Sequence, residues 1–148
     1  MFKTNYREVK IMTIGRSAYC RLVTEDETTV IYDYACSNWN YGDYEKDMNA
    51  FDGIIMIDKS CFVKAELHSK IKRKPNGRKV KVVKKIIQDV DVSSFIYEGK
   101  IHIKNCKACR DFVGRNKDIG MLAMMLLWEL FKRYQEIDGI PKSCGVIQ

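Results

Sequence analysis

The sequence predicts an α+β fold: an antiparallel β-sheet of about five to seven strands, a long basic β-hairpin, and a C-terminal amphipathic helix packed on one face of the sheet. Three observations carry that prediction. Alternating apolar segments separated by short polar turns fill the first third of the chain, an Asn-Gly dipeptide sits between two strand-like runs at residues 67–86, and a helical apolar period runs from Ile119 to Tyr134. At 148 residues the chain is read as one domain, spanning 1–148.

The elements follow in order. "REVKIMTI" ends at Gly15, "AYCRLVTE" runs into the polar turn Glu25-Asp26-Glu27, and "TTVIYDYA" follows, which together describe an antiparallel meander. The segment from Cys36 to Ala50, rich in Asn, Gly and Asp, reads as a long loop or a short irregular helical turn. "FDGIIMID" reads as a short buried strand. "VSSFIYEGKIHIKN" reads as a further strand pair turning near Glu98-Gly99, with "DVSSFIY" equally compatible with a helix, and "CRDFVGRN" is compatible with a short helical turn. Asp118 is the expected N-cap of the last helix. Its apolar face is Ile119, Leu122, Leu126, Leu130 and Tyr134, its polar face Glu129, Lys132, Arg133 and Glu136, and Gly139 and Pro141 stop it.

Charge is distributed unevenly. The stretch "KIKRKPNGRKVKVVKK", residues 70–85, holds nine of the 26 basic residues and no acid, so the remainder of the chain has 17 basic residues against 19 acidic ones. A near-neutral body with one basic feature is the footprint expected of a protein that meets a polyanion. A two-residue turn at Asn76-Gly77 would place Lys74 opposite Lys79, Lys72 opposite Lys81 and His68 opposite Lys85 on one face. Ile71 would then oppose Val82, and Leu67 would oppose Ile86, on a face free to pack on a core. Like charges directly opposite each other cost roughly a few tenths of a kcal/mol per pair, which a phosphate backbone would relieve. The candidate nucleic-acid or partner-binding residues are therefore Lys70, Lys72, Arg73, Lys74, Arg78, Lys79, Lys81 and Lys85. The competing explanation is a solvated face, since lysines also protect exposed hairpin edges from aggregation.

In "NWNYGDY", Trp39 and Tyr41 are candidate anchors, because exposed aromatics beside a basic face stack single-stranded bases. The same loop carries Asp43, Glu45 and Asp47, which would repel phosphate or cover the hairpin internally, and core packing of the aromatics is a third reading. Met121, Met124 and Met125 fit either core filling or a plastic interaction surface.

"CKAC" supplies Cys106 and Cys109, half of a zinc knuckle, which Cys36, Cys61, His68 or His102 would have to complete. A redox pair or idle thiols are the other readings. No metal and no cofactor is assigned. Phosphate-binding loops and the common hydrolase and metalloprotease motifs do not occur, and Asp52 with Asp58 is a weak carboxylate pair, so no enzyme is expected. The N-terminal residues lack the apolar core of a signal peptide, and the longest apolar run is too short for a membrane span, so an intracellular, cytoplasmic protein with no membrane partner is expected.

At "NAFDGIIMIDKSCFVKAELHSKIKRKPNGRK", residues 49–79, and at "RYQEIDGIPKS", residues 133–143, the chain resembles small proteins of Firmicutes phages and integrative elements. The resemblance implies a mobile-element setting, in which such proteins serve element maintenance or inhibit host defence as anti-CRISPR proteins do. Two functions follow. The chain binds DNA or RNA through the hairpin, or it inhibits a host defence complex by docking the hairpin on the effector protein or its guide RNA.

Overall fold

A computed structural model describes residues 15–40 and 44–148. The expected strand "REVKIMTI" lies outside the described residues. Within them, β1 (Arg16–Glu25) and β2 (Thr29–Asn38) form the first hairpin, followed by the short helix α1 (Tyr44–Met48) and β3 (Gly53–Asp58). A long hairpin, β4 (Glu66–Arg73) and β5 (Lys79–Ile86), comes next, then α2 (Val92–Tyr97) and β6 (Ile101–Lys104). The chain continues through β7 (Phe112–Val113), β8 (Ile119–Gly120), the long helix α3 (Met121–Ile137) and β9 (Ser143–Ile147). The fold is α+β. Its main sheet has five strands in the order β6-β3-β2-β1-β9, and every neighbouring pair is antiparallel.

The core follows from period-two alternation. Ala18 and Cys20 of β1, Val30, Tyr32 and Tyr34 of β2, and Ile55 and Ile57 of β3 are all buried and turn to one face. Against that face lies α3, which buries Ala123, Met124, Leu126, Leu127, Leu130 and Phe131. This buried stripe is wider than the expected one: Leu122 and Tyr134 are only half-buried, while Ala123, Leu127 and Phe131 join the core. Tyr32 fixes the far end by donating to the Pro141 carbonyl at 2.6 Å.

Several local expectations are corrected. β2 continues through Cys36 to Asn38, so the loop begins later than its polar composition indicated. For "VSSFIY", left open between strand and helix, the helical alternative holds, because Asp91 caps it, accepting from the Ser94 N–H at 3.2 Å and from the Ser94 hydroxyl at 2.8 Å. The "CRDFVGRN" segment contains a two-residue strand, paired with Ile119–Gly120, and not a helical turn. That pairing keeps Ile119 out of α3, whose N-cap is Gly120 and not Asp118.

The hairpin register differs by one residue from the expected one. Its pairs are Glu66–Ile86, Leu67–Lys85, His68–Lys84, Ser69–Val83, Lys70–Val82, Ile71–Lys81, Lys72–Val80 and Arg73–Lys79. The cause is Pro75. In a two-residue Asn-Gly turn, Pro75 would face Arg78 and would have to donate an N–H that it lacks. Instead Gly77 N–H donates to the Lys74 carbonyl at 2.9 Å, and Lys74 N–H donates to the Arg78 carbonyl at 2.8 Å. Pro75 and Asn76 occupy the centre of a turn that suits the fixed proline φ, and Gly77, at φ +82°, takes the left-handed position that closes a three-residue loop.

Candidate nucleic-acid interface

A one-residue slip in register moves every side chain of one strand to the opposite face. Lysines and apolar residues are consequently mixed: Lys70, Lys72, Val82 and Lys84 share one face, and Ile71, Arg73, Lys79, Lys81 and Val83 share the other. The expected opposition of Lys74 with Lys79 and of Lys72 with Lys81 does not occur. Arg73 with Lys79 is the like-charge pair directly opposed in the ladder. Neither face packs on a core, for all eight residues of β4 are exposed, and Leu67 and Ile71 retain 67% and 68% of their accessible surface.

The stem holds this ribbon to the body through α3. Gln135, only 1% exposed, accepts from the Gln88 N–H at 2.6 Å and donates to the Gln88 carbonyl at 2.9 Å, so its amide replaces a neighbouring strand for one residue. Gln88 in turn donates from Nε2 to the Lys64 carbonyl at 2.7 Å, drawing the entry and exit of the hairpin together. Lys85 donates to Asp138 Oδ2 at 2.8 Å and to the Glu136 carbonyl at 3.2 Å. A cation is thereby placed at the C-terminus of α3, where the helix dipole and the unpaired carbonyls favour it. Lys85 is thus committed to the stem.

Lys70, Lys72, Arg73, Lys74, Arg78, Lys79, Lys81 and Lys84 are exposed, and none of them forms an ion pair among the described residues. Lys84 was missed from sequence because the expected register turned it toward a core. The signal was present in Pro75, whose missing N–H excludes that register. Glu45 and Asp47 form no ion pair with the hairpin, which removes the idea that they cover it; Asp43 lies outside the described residues.

The aromatic candidates separate. Tyr41 lies outside the described residues. Trp39 is 41% exposed and, with Tyr19, Met48 and Ile147, borders a hollow of about 420 Å³, none of whose lining residues comes from the hairpin. Ser17 and Ser37 share a 2.8 Å hydroxyl hydrogen bond in its wall. Met124 is buried in the core, whereas Met121 and Met125 are half-buried.

Cys106 and Cys109 occupy a turn after β6, with Cys109 N–H donating to the Cys106 carbonyl at 3.2 Å; no helix opens there, as the redox arrangement requires. Cys36, from β2, and Cys106 are close enough for their thiols to interact, and that interaction raises the Cys36 pKa and lowers that of Cys106. Burial pushes the Cys61 thiol up to about 11. Cys20 and Cys144 face each other across β1 and β9, and the interaction with Cys144 together with burial raises the Cys20 pKa as well. Among the described residues, no three His, Cys, Asp or Glu side chains converge to hold a metal ion. His68 turns to Glu66 at 3.2 Å on the hairpin, and His102 lies on β6 opposite Met56. Asp52 and Asp58 stand at opposite ends of β3, about 20 Å apart from strand rise, so they form no carboxylate pair.

Among the described residues, no helix is long and apolar enough to cross a membrane. Comparison of the chain with protein families, with curated proteins and with solved structures finds no match.

Proposed function

We propose that this chain is a non-enzymatic nucleic-acid-binding protein that engages the phosphate backbone through the β4–β5 hairpin, in the mobile-element setting its sequence suggests. The observation that carries the reading is a two-stranded ribbon with eight exposed cations, none paired to an acid among the described residues, on a body whose remaining charge is close to balanced. Among the described residues, no acid neutralises these charges. A polyanion would, releasing its condensed counterions as it did so.

The test is fluorescence anisotropy with labelled single-stranded RNA, single-stranded DNA and duplex DNA at low and physiological salt. Each phosphate contact contributes about −0.9 to the slope of log K against log salt on duplex DNA, so five to seven contacts give a slope of roughly −4.5 to −6.3. Lys72→Glu with Lys81→Glu reverses one charge on each face and is expected to abolish binding at physiological salt. Wild-type protein that stays unbound at low salt refutes the reading.

One observation favours a second reading. Leu67, Ile71 and Val83 lie on the same face and are 67%, 68% and 56% exposed, an apolar stripe suited to a protein surface. The protein would then inhibit a host defence nucleoprotein by contacting its effector. That reading is favoured if nucleic acid alone is not bound, and it requires loss of effector binding on Ile71→Ser.

A further inference from the structure

Resting on the nucleic-acid reading above, we infer that the ligand is B-form duplex DNA and that the hairpin enters its major groove. A single strand draped over a sheet uses one face of it. The register of this hairpin instead puts Lys70, Lys72 and Lys84 on one face and Arg73, Lys79 and Lys81 on the other, all exposed, with Lys74 and Arg78 at the tip. Cations directed both ways match a ligand with phosphates on two sides, which is what the walls of a groove provide.

The dimensions agree. A strand of eight residues extends about 26 Å, and the B-form major groove, about 12 Å wide and 8.5 Å deep, admits a two-stranded ribbon. The A-form major groove of duplex RNA is too deep and narrow to enter, and its shallow minor groove would engage one face only. No element of the main sheet pairs with β4 or β5, so both edges of the ribbon are free of strand neighbours among the described residues.

Two glutamine triples separate the faces: Lys70→Gln/Lys72→Gln/Lys84→Gln and Arg73→Gln/Lys79→Gln/Lys81→Gln. All six sites are exposed, and circular dichroism checks that each variant is folded. With duplex DNA in 0.1 M salt, each triple is expected to lower affinity on the order of 100-fold and to reduce the salt slope by about 2.7, the value for three phosphate contacts. Wild-type protein is expected to bind a DNA duplex at least ~10-fold more tightly than an RNA duplex or a single strand of the same sequence. Duplex DNA carrying glucosylated 5-hydroxymethylcytosine, which fills the major groove, should bind at least ~10-fold more weakly, while netropsin in the minor groove should leave binding unchanged.

A triple that stays within threefold of wild type overturns groove insertion, as does equal or tighter binding to RNA duplex or single strands. In those cases the hairpin remains the nucleic-acid site. Absence of binding to every nucleic acid overturns both the inference and the reading beneath it.

Discussion

Replacing Gly53 with alanine tests how the central sheet is packed. Gly53 opposes Tyr34 across β2 and β3, and the Tyr34 ring lies over it. A methyl group at Gly53 would press on Tyr34 Cε1 and stand 2.6 Å from both Cδ1 and Cζ, well inside the 3.5–4.0 Å at which carbon atoms rest. The ring would have to move by about 1 Å. It has little freedom to do so, because Tyr34 is fully buried and its hydroxyl accepts the Cys106 N–H at 3.2 Å. Overpacking of this kind costs about 1–3 kcal/mol, and the immobile ring sets the expectation near 3 kcal/mol, or a fall in Tm of roughly 6–12 °C. The assay is thermal and urea unfolding of Gly53→Ala, Tyr34→Leu and the double variant. The flexible leucine should accommodate the methyl group, so the double variant should be at least ~1 kcal/mol more stable than the two single effects predict by addition. A loss under about 0.5 kcal/mol for Gly53→Ala, or strict additivity, refutes the packing argument.

Other perturbations probe the hairpin and the surface acids. Gly77→Ala adds a methyl group with nothing within 4 Å of it, so its cost of about 1–2 kcal/mol is purely that of the positive φ; amide exchange in β4 and β5 should accelerate about 5–30-fold, and Gly77→Asn should recover most of this. Unchanged exchange in the alanine variant would contradict the three-residue loop. Gln135→Leu strands the Gln88 N–H and carbonyl at a half-open site, and a loss of about 1–2 kcal/mol in urea unfolding is expected; a neutral result means that the amide does not tether the stem. Hydrogen bonds hold three carboxyls below their usual range: the backbone N–H groups of Thr28 and Thr29 act on Asp26, the backbone N–H and hydroxyl of Ser60 on Asp58, and the hydroxyl and backbone N–H of Ser94 on Asp91. Their folded pKa values lie below the unfolded value of about 3.9, so their contribution is complete above roughly pH 5 and is lost as pH falls through the folded values. Thermal unfolding from pH 7 to 2.5 should show a plateau and then a decline below about pH 4, and a Tm independent of pH across that decline would contradict these bonds.

Much of the architecture could be read from the sequence because it rests on periodicity. Alternation in "AYCRLVTE" and "TTVIYDYA" and the apolar repeat of the last helix report burial directly. The two-residue pairing of Phe112–Val113 with Ile119–Gly120 is too short to have a period, and so the displacement of the helix start from Asp118 could not be seen. The helix after Asp91 carried its capping signal but competed with a β-rich composition. At the candidate interface, the hairpin and its charge are legible in the sequence, whereas its faces depend on Pro75, whose missing N–H outweighs the two-residue turn preference of Asn-Gly. The meeting of Cys36 with Cys106, and the bond from Gln135 to Gln88, join residues distant in sequence and have no local signature.

The apolar stripe of Leu67, Ile71 and Val83 lies among cations, and salt therefore acts on it in two opposite directions. In dilute buffer the screening length is about 30 Å at 0.01 M, and repulsion between ribbons keeps one molecule's stripe from another's. At 1 M it shrinks to about 3 Å, and the same charges no longer guard the aliphatic surface they surround. Ionic strength that weakens the hold on a polyanion thus strengthens attraction between copies, so the hairpin is a surface whose colloidal behaviour and ligand affinity respond to salt with opposite sign.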